Sequence, residues 1–310
     1  MDRANTRTQR SITPEAWALM ALLAILWGGS FAATRTALAE VGVFTLVAFR
    51  VAGGALALWL YIAARGLPVR GGWRVIAIYA CMGLLNNILP WSLIVWGQQH
   101  IASGLAAILN ASTAIFTVAL AAAVYADERM TAEKSVGVVL GLAGVVVVMG
   151  ASALSALDLT SLSQLAILGA SVCYACSGVF ARRFLTGQPP EVAAAGMLTA
   201  SSVVMVPVAL ASDGVPAVAA YHGATWAALA YAGVLASALA FLCYYRVLRL
   251  AGAGNVSLVT LMIAPVSVVV GAILFGESLT GSDYVGFALL AAGLLVIDGR
   301  LPIGRRRQPS

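Results

Sequence analysis

Charge is scarce in this sequence. Only 10% of its 310 residues are Asp, Glu, Lys or Arg, while 61% are hydrophobic and the mean hydropathy is +0.95. That balance excludes a water-soluble domain and makes a bilayer the solvent. Acid is scarcest where it would matter most: no Asp or Glu falls near the middle of a long apolar run. A midplane carboxylate able to carry a proton, the usual device for exchanging protons against cationic drugs, therefore has no candidate. The two histidines, His100 and His222, stand at the ends of apolar runs without acidic or thiol partners in sequence. There is no P-loop, HExxH or GxSxG motif, so catalytic residues, cofactors and metals are not expected and the chain does not read as an enzyme. The four cysteines, Cys81, Cys173, Cys176 and Cys243, all lie inside apolar runs. Cys173 and Cys176 read as small side chains on one helix face rather than a redox pair.

What the chain has in abundance is apolar length. Ten mostly apolar stretches, most of them roughly 18 to 25 residues long, run from Trp17 to Ala37, Val43 to Ala64, Trp73 to Trp96, Ile101 to Tyr125, Ser135 to Ala151, Ser163 to Phe184, Val192 to Ala211, Ala224 to Tyr245, Ala253 to Phe275 and Tyr284 to Ile297. With no water in the hydrocarbon to pair peptide groups, each is expected to be a helix, and the period-2 alternation of a membrane barrel is absent. The expected fold class is thus an all-α integral membrane protein of ten transmembrane helices. The first stretch exceeds a secretory signal core and lacks a clean A-x-A site, so it counts as a span.

Every Lys and Arg except Arg35 and Arg50 falls in a tail, in alternate gaps or at the span ends that border them, on one side of the predicted bundle. That side is expected to be cytoplasmic and to hold both termini. The opposite gaps carry Glu40, Asp158, Asp213, Glu277, Asp283 and the two histidines. The net charge of +6 therefore reads as lipid-headgroup contact and topology control, with no nucleic-acid partner.

The sequence also repeats itself. A shift of 149 residues brings ERMTAEKSVGVVLGLAGVVVVMG, starting at Glu128, onto ESLTGSDYVGFALLAAGLLVIDG, starting at Glu277, pairing Thr131 with Thr280, Gly137 with Gly286, Gly144 with Gly293 and Gly150 with Gly299. A shift of 147 lays the first span on the sixth, Trp27 on Tyr174, Ser30 on Ser177 and Arg35 on Arg182. Five spans per copy is an odd number, so the second copy is expected to enter the membrane from the opposite side. Inverted pairs of this kind place substrate sites near the midplane between the halves.

These features carry a resemblance. WGGSFAATR in the first span, Arg50 in the second, the Glu128 and Glu277 blocks and the glycine-spaced fifth and tenth spans resemble the EamA family of the drug/metabolite transporter superfamily. The resemblance covers about Trp17 to Gly299. It implies a bacterial-type inner-membrane exporter of amino acids and related metabolites, aromatic amino acids among them. It also divides the chain into a cytoplasmic tail (1–14), a first five-helix repeat (15–151), a second, inverted one (152–299) and a basic cytoplasmic tail (300–310). One position departs from the family pattern: Pro265 has Phe116 as its counterpart in the first half, so no proline breaks the fourth span.

Candidate binding residues come from polar and aromatic groups inside the spans. Trp27, Ser30 and Thr34 form one helical stripe, and the repeat sets Tyr174 and Ser177 at matching depth. Rings could stack on an apolar solute part and hydroxyls bond its polar end; the alternative is core filling and back-bonding to the helix. Asn86, Asn87 and Asn110 must face protein or water. Asn87 and Trp91 share a face, and Pro90 between them would kink the helix and free carbonyls. The substrate-binding candidates are accordingly Trp27, Ser30, Asn87, Trp91, Asn110, Tyr174 and Ser177.

Arg50 costs about 2.5–3.5 kcal/mol on insertion scales before a partner relieves it. It could hold a carboxylate, snorkel outward or pair with Glu40; together with Pro90 and Pro265 it is expected to be structural or gating. Gly137, Gly141, Gly144, Gly286 and Gly293 read as packing seams, within one molecule or in a homodimer. The residues alone leave amino-acid export, export of drugs or quaternary ammonium cations, and a non-transporting receptor or scaffold as readings. The partners expected are a small-molecule substrate and membrane lipid.

Overall fold

A computed structural model describes residues 12–69, 71–101, 103–125, 132–148, 161–185, 189–251, 259–275 and 281–297. Glu128, Glu277, residues 1–11 of the first tail and all of the second lie outside the described residues. The described chain is helical with no strand: α1 (Pro14–Ala37), α2 (Val43–Arg65), α3 (Trp73–Gln98), α4 (Ser103–Ala111), α5 (Thr113–Val124), α6 (Ala132–Val148), α7 (Leu162–Phe184), α8 (Pro190–Ser212), α9 (Gly223–Ala251), α10 (Val259–Phe275) and α11 (Gly281–Ile297). Among the described residues, α1, α2, α3, α7, α8 and α9 are long and apolar enough to cross a membrane.

Local chemistry sets the ends. Thr13 caps α1, its hydroxyl accepting the Ala16 N–H at 3.2 Å ahead of Pro14 and Glu15, an N-cap followed by residues that suit a helix start. Gly66 closes α2 at φ 57°, a left-handed turn that favours glycine. α9 continues past the expected end at Tyr245 to Ala251, carrying Arg246 and Arg249 inside the helix. Basic side chains suit the negative end of the helix dipole, and these two pair with Glu15 and Glu191 at 2.8 and 3.5 Å.

Two long helices are rewound, and at related places. α3 runs as a π-helix over Leu84–Ile88, and α9 over Tyr231–Leu239; the two segments begin 147 residues apart, the repeat offset. In α3 the turn accommodates Pro90, which has no N–H to return to Asn86, and the Leu89 N–H reaches back five residues to the Leu84 carbonyl. Ser237 is the residue related to Pro90, and α9 rewinds without a proline. The expected fourth span is also interrupted. It splits into α4 and α5 at Ser112, whose hydroxyl bonds the Leu109 carbonyl at 2.6 Å, whereas Pro265 sits inside a continuous α10. The break thus falls in the half that lacks the proline.

The helices assemble around two hydrophobic cores. One is built chiefly from α1, α4, α7, α9 and α10 around Met20, Leu23, Ile167 and Leu261; the other from α2, α3, α8 and α9 around Leu46, Leu58, Met197 and Leu198. The pairings α6 with α11, α2 with α8, α1 with α10, α4 and α5 with α7, α1 with α9, and α3 with α7 are unchanged when each helix is exchanged for its counterpart in the other half. The tightest seam joins α6 to α11. A Cβ on Gly144 would meet the Leu290 nitrogen at 2.6 Å and the Gly286 carbonyl at 2.7 Å; one on Gly293 would meet the Gly141 nitrogen and the Gly137 carbonyl at the same distances. Small residues here let backbone touch backbone inside one molecule.

Candidate functional site

Tyr174 and Tyr244 pack against both hydrophobic cores, and the buried polar groups gather beside them. Arg50, 8% exposed, comes from α2. Its guanidinium carbon lies 3.9 Å from the centre of the Trp91 ring of α3, and its Nε donates to Ser237 Oγ of α9 at 3.3 Å. The phenols of Tyr174 on α7 and Tyr231 on α9 lie within electrostatic range of the guanidinium. A cation on an indole face recovers about 0.5–2 kcal/mol of the cost of its burial. Arg50 neither snorkels outward nor pairs with Glu40.

The rewound segments supply this geometry. Ser237, inside the π-helix of α9, donates to the Ala232 carbonyl at 2.8 Å, five residues back, and presents its oxygen to Arg50. The neighbouring Ala236 carbonyl accepts the Trp27 indole N–H at 3.2 Å, and the Trp27 ring lies 6.0 Å from that of Tyr244. Tyr231 opens the segment and donates its hydroxyl to the Ile25 and Leu26 carbonyls of α1, both at 3.1 Å. In α3, Asn86 accepts from Ser177 of α7 at 3.0 Å, while Asn87, fully buried, donates to Ser201 of α8 at 3.2 Å.

The predicted residues therefore divide. Trp91 and Arg50 are brought together, with Tyr174 in electrostatic range and Ser177 bonded to the Tyr174 carbonyl at 2.9 Å as well as to Asn86. Trp27 reaches its edge through Ala236 and Tyr244. Ser30 donates to the Trp27 carbonyl at 2.6 Å and Asn87 to Ser201, so both are engaged within the protein. Asn110 stands apart at the α4–α5 break, its Oδ1 buried without a hydrogen-bond partner. Pro265 belongs to the α1–α10 contact, where Ser267 bonds the Gly28 carbonyl at 3.1 Å. Ser237, Tyr231 and Tyr244 were not singled out in sequence. The 147-residue shift, extended from the first span to α3, would have set Ser237 on Pro90 and Tyr231 on Leu84.

At one end of α9 lies a second polar cluster. Glu40, in the α1–α2 turn, accepts the His222 backbone N–H at 2.9 Å and the Thr225 hydroxyl at 2.7 Å, with the His222 ring on its other oxygen. His222 thus has the acidic partner that the sequence did not reveal. The Thr225 hydroxyl above all, then the His222 N–H and ring, hold the Glu40 carboxyl at about 2 against an ordinary 4.5. Beside it Asp213 caps α2, accepting the Thr45 N–H at 2.7 Å.

The described residues hold no cluster of metal-ligating side chains, and their cysteines are free. What the arrangement offers is recognition: a fixed cation, aromatic faces, amides and hydroxyls drawn from both halves. Two successive stretches, residues 15–150 and 161–298, match the EamA-like transporter family, and the chain belongs to that family. It is a multi-pass membrane transporter of small molecules and not an enzyme. A probable terminal-alkyne amino-acid exporter of Streptantibioticus cattleyicolor is 32% identical over 303 residues, covering 96% of this chain and 98% of that one. A probable amino-acid metabolite efflux pump of Salmonella typhimurium is 23% identical over 90% of this chain and 93% of its own. A solved crystal structure shares the fold at a TM-score of 0.74 and 21% identity, over 91% of this chain and 97% of that one.

Proposed function

We propose that this chain exports amino acids and related metabolites, aromatic ones included, by alternating access around a cavity between two inverted five-helix repeats. The observation that carries the reading is the meeting at Arg50 of groups from both halves, the Trp91 ring from the first and the Ser237 hydroxyl from the second. Exchange-symmetric packing supports two related arrangements, one open to each side. The names of the Streptantibioticus and Salmonella relatives support the cargo. The basic gaps support an inner-membrane orientation with both termini cytoplasmic.

In this reading Trp91 and Tyr174 line the pocket, Trp27 and Ser177 border it, and Ser30, Asn87 and Asn110 hold its walls. Pro90 and the two π-segments form the pliable parts, and Pro265 shapes the α1–α10 contact. A fixed cation in the lining weighs against quaternary ammonium cargo. The glycines of α6 and α11 are engaged with each other, so a homodimer would have to use another face.

Purified protein in liposomes, offered a panel of labelled amino acids with and without a proton gradient, tests the reading. The expected result is saturable flux that does not depend on the gradient and that weakens in Trp27→Ala and Tyr174→Ala. Uptake of cationic dyes with no movement of any amino acid would overturn the cargo, and no flux of any solute would favour a receptor.

A further inference from the structure

Arg50 is a cation with no counter-charge among the described residues. The acidic side chains that the structure describes are each engaged elsewhere: Glu15 with Arg246, Glu191 with Arg249, Glu40 with His222 and Thr225, and Asp213 with the Thr45 N–H. Among the described residues no carboxylate pairs with Arg50. Its protein contacts are also one-sided. Ser237 takes Nε, and Trp91 covers one face of the guanidinium. The two Nη nitrogens make no hydrogen bond among the described residues, and the side chain keeps 8% of its surface exposed.

A guanidinium held by one edge and one face is pre-oriented. Its rotation is fixed by the Trp91 plane and its roll by the Ser237 oxygen, whose own hydroxyl is tied to Ala232. The free edge is the Nη pair, which matches the two oxygens of a carboxylate in a bidentate fork. In a low-dielectric site such a pair needs no reorganisation when the ligand arrives, and the ligand removes the cost of leaving the charge unpaired. The repeat-related residue in the second half is Met197, so the fork exists once and gives a bound molecule one orientation.

We propose that the Nη edge of Arg50 is the carboxylate subsite of the transported molecule, with Trp91 and Tyr174 beside it receiving the adjoining apolar part. The inference rests on the amino-acid reading for its cargo, but it names the group that is recognised: a carboxylate, with or without an α-amine.

The test compares binding to purified wild-type protein of phenylalanine, phenylalaninamide and 3-phenylpropionate, the last a carboxylate without the amine. Loss of the carboxylate in the amide is expected to weaken binding roughly 10- to 100-fold. In Arg50→Gln the acid and the amide should bind equally; in Arg50→Lys, which keeps the charge without the fork, part of the preference should return. Equal binding of acid and amide by the wild-type protein would overturn the proposal without any variant, so failure of Arg50→Gln to fold leaves it falsifiable. An Arg50→Gln protein that keeps the wild-type acid-to-amide ratio would overturn it as well. The two readings fail separately. Arg50-dependent binding of 3-phenylpropionate with no binding of phenylalanine or any other panel amino acid would remove the amino-acid cargo and keep this subsite, whereas amino-acid flux indifferent to the carboxylate would do the reverse.

Discussion

α3 and α9 are counterparts in the two repeats, and both leave α-helical geometry at related positions, yet they do so with different residues. α3 has Asn86, Asn87 and Pro90; α9 has Tyr231 and Ser237 and no proline. Each rests on a helix of the opposite half through glycine. A Cβ on Gly83 of α3 would meet Ser201 Oγ at 2.8 Å and the Met197 carbonyl at 2.9 Å on α8; one on Gly54 of α2 would meet Ser237 Cβ at 2.9 Å on α9. The polar groups attached to these matched contacts differ: amide to hydroxyl between Asn87 and Ser201, guanidinium to hydroxyl between Arg50 and Ser237. The backbone design is duplicated while the chemistry is not. Under the alternating access proposed above, such a pseudo-symmetric scaffold would open to either side while its unequal polar groups hold the cargo in one orientation.

Three substitutions probe that contrast, taken from the largest expected effect downward. Gly83→Val and Gly54→Val each force a branched side chain into a contact that has no room for a methyl group. Each should cost about 1–3 kcal/mol, read as matched losses in the melting temperature of detergent-purified protein. Strong loss at one position with tolerance at the other would break the equivalence of the two contacts. Pro90→Ala restores an N–H in α3. Because α9 rewinds with no proline, α3 should keep its irregular turn and change in stability by less than about 1 kcal/mol, with amide exchange across Leu84–Ile88 unchanged. A large stabilisation with slowed exchange would show that proline alone enforces the turn in the first half.

The smallest effect is expected at Glu40, which ties the α1–α2 turn to α9 and has no equivalent contact on α3 among the described residues. Its carboxyl sits at about 2, below the ordinary 4.5, so the folded state favours the ionised form. The stabilisation is fully present above about 4.5 and is lost as pH falls through about 2. The gap in melting temperature between wild type and Glu40→Gln should be constant at neutral pH and close on acidification. A gap that widened toward acid would reverse the sign of the linkage.

Much of the helical course was legible in the sequence because the bilayer leaves an apolar run little choice of structure. Most predicted spans coincide with helices to within a few residues, from Val43 at the start of α2 to Phe184 at the end of α7. The exceptions have physical causes. The extension of α9 carries Arg246 and Arg249, which hydropathy alone reads as a loop and which ion pairs and the helix dipole keep helical. The break at Ser112 depends on a hydroxyl capturing the Leu109 carbonyl, with Ser171 of α7 reaching the same carbonyl at 3.3 Å; apolar periodicity contains no trace of either bond. Within the site, Trp91 and Tyr174 were legible as aromatic groups at depth, and Arg50 as a costly charge. Their meeting was not, since it depends on how α2, α3, α7 and α9 cross. Ser237 stayed hidden for a further reason: a serine in a membrane helix usually bonds its own backbone, and this one does so while also serving Arg50.

The α6–α11 seam has one more implication. Main chain is wedged against main chain in both directions, at Gly144 and at Gly293, so neither helix can roll or slide without a collision that no side-chain adjustment relieves. The final helix of each half is riveted to its twin, and under the alternating access proposed above any rocking of the other helices would hinge on that rivet as a door hangs on its frame. The rivet is also non-covalent and reciprocal. The two halves should find each other even when synthesised as separate chains.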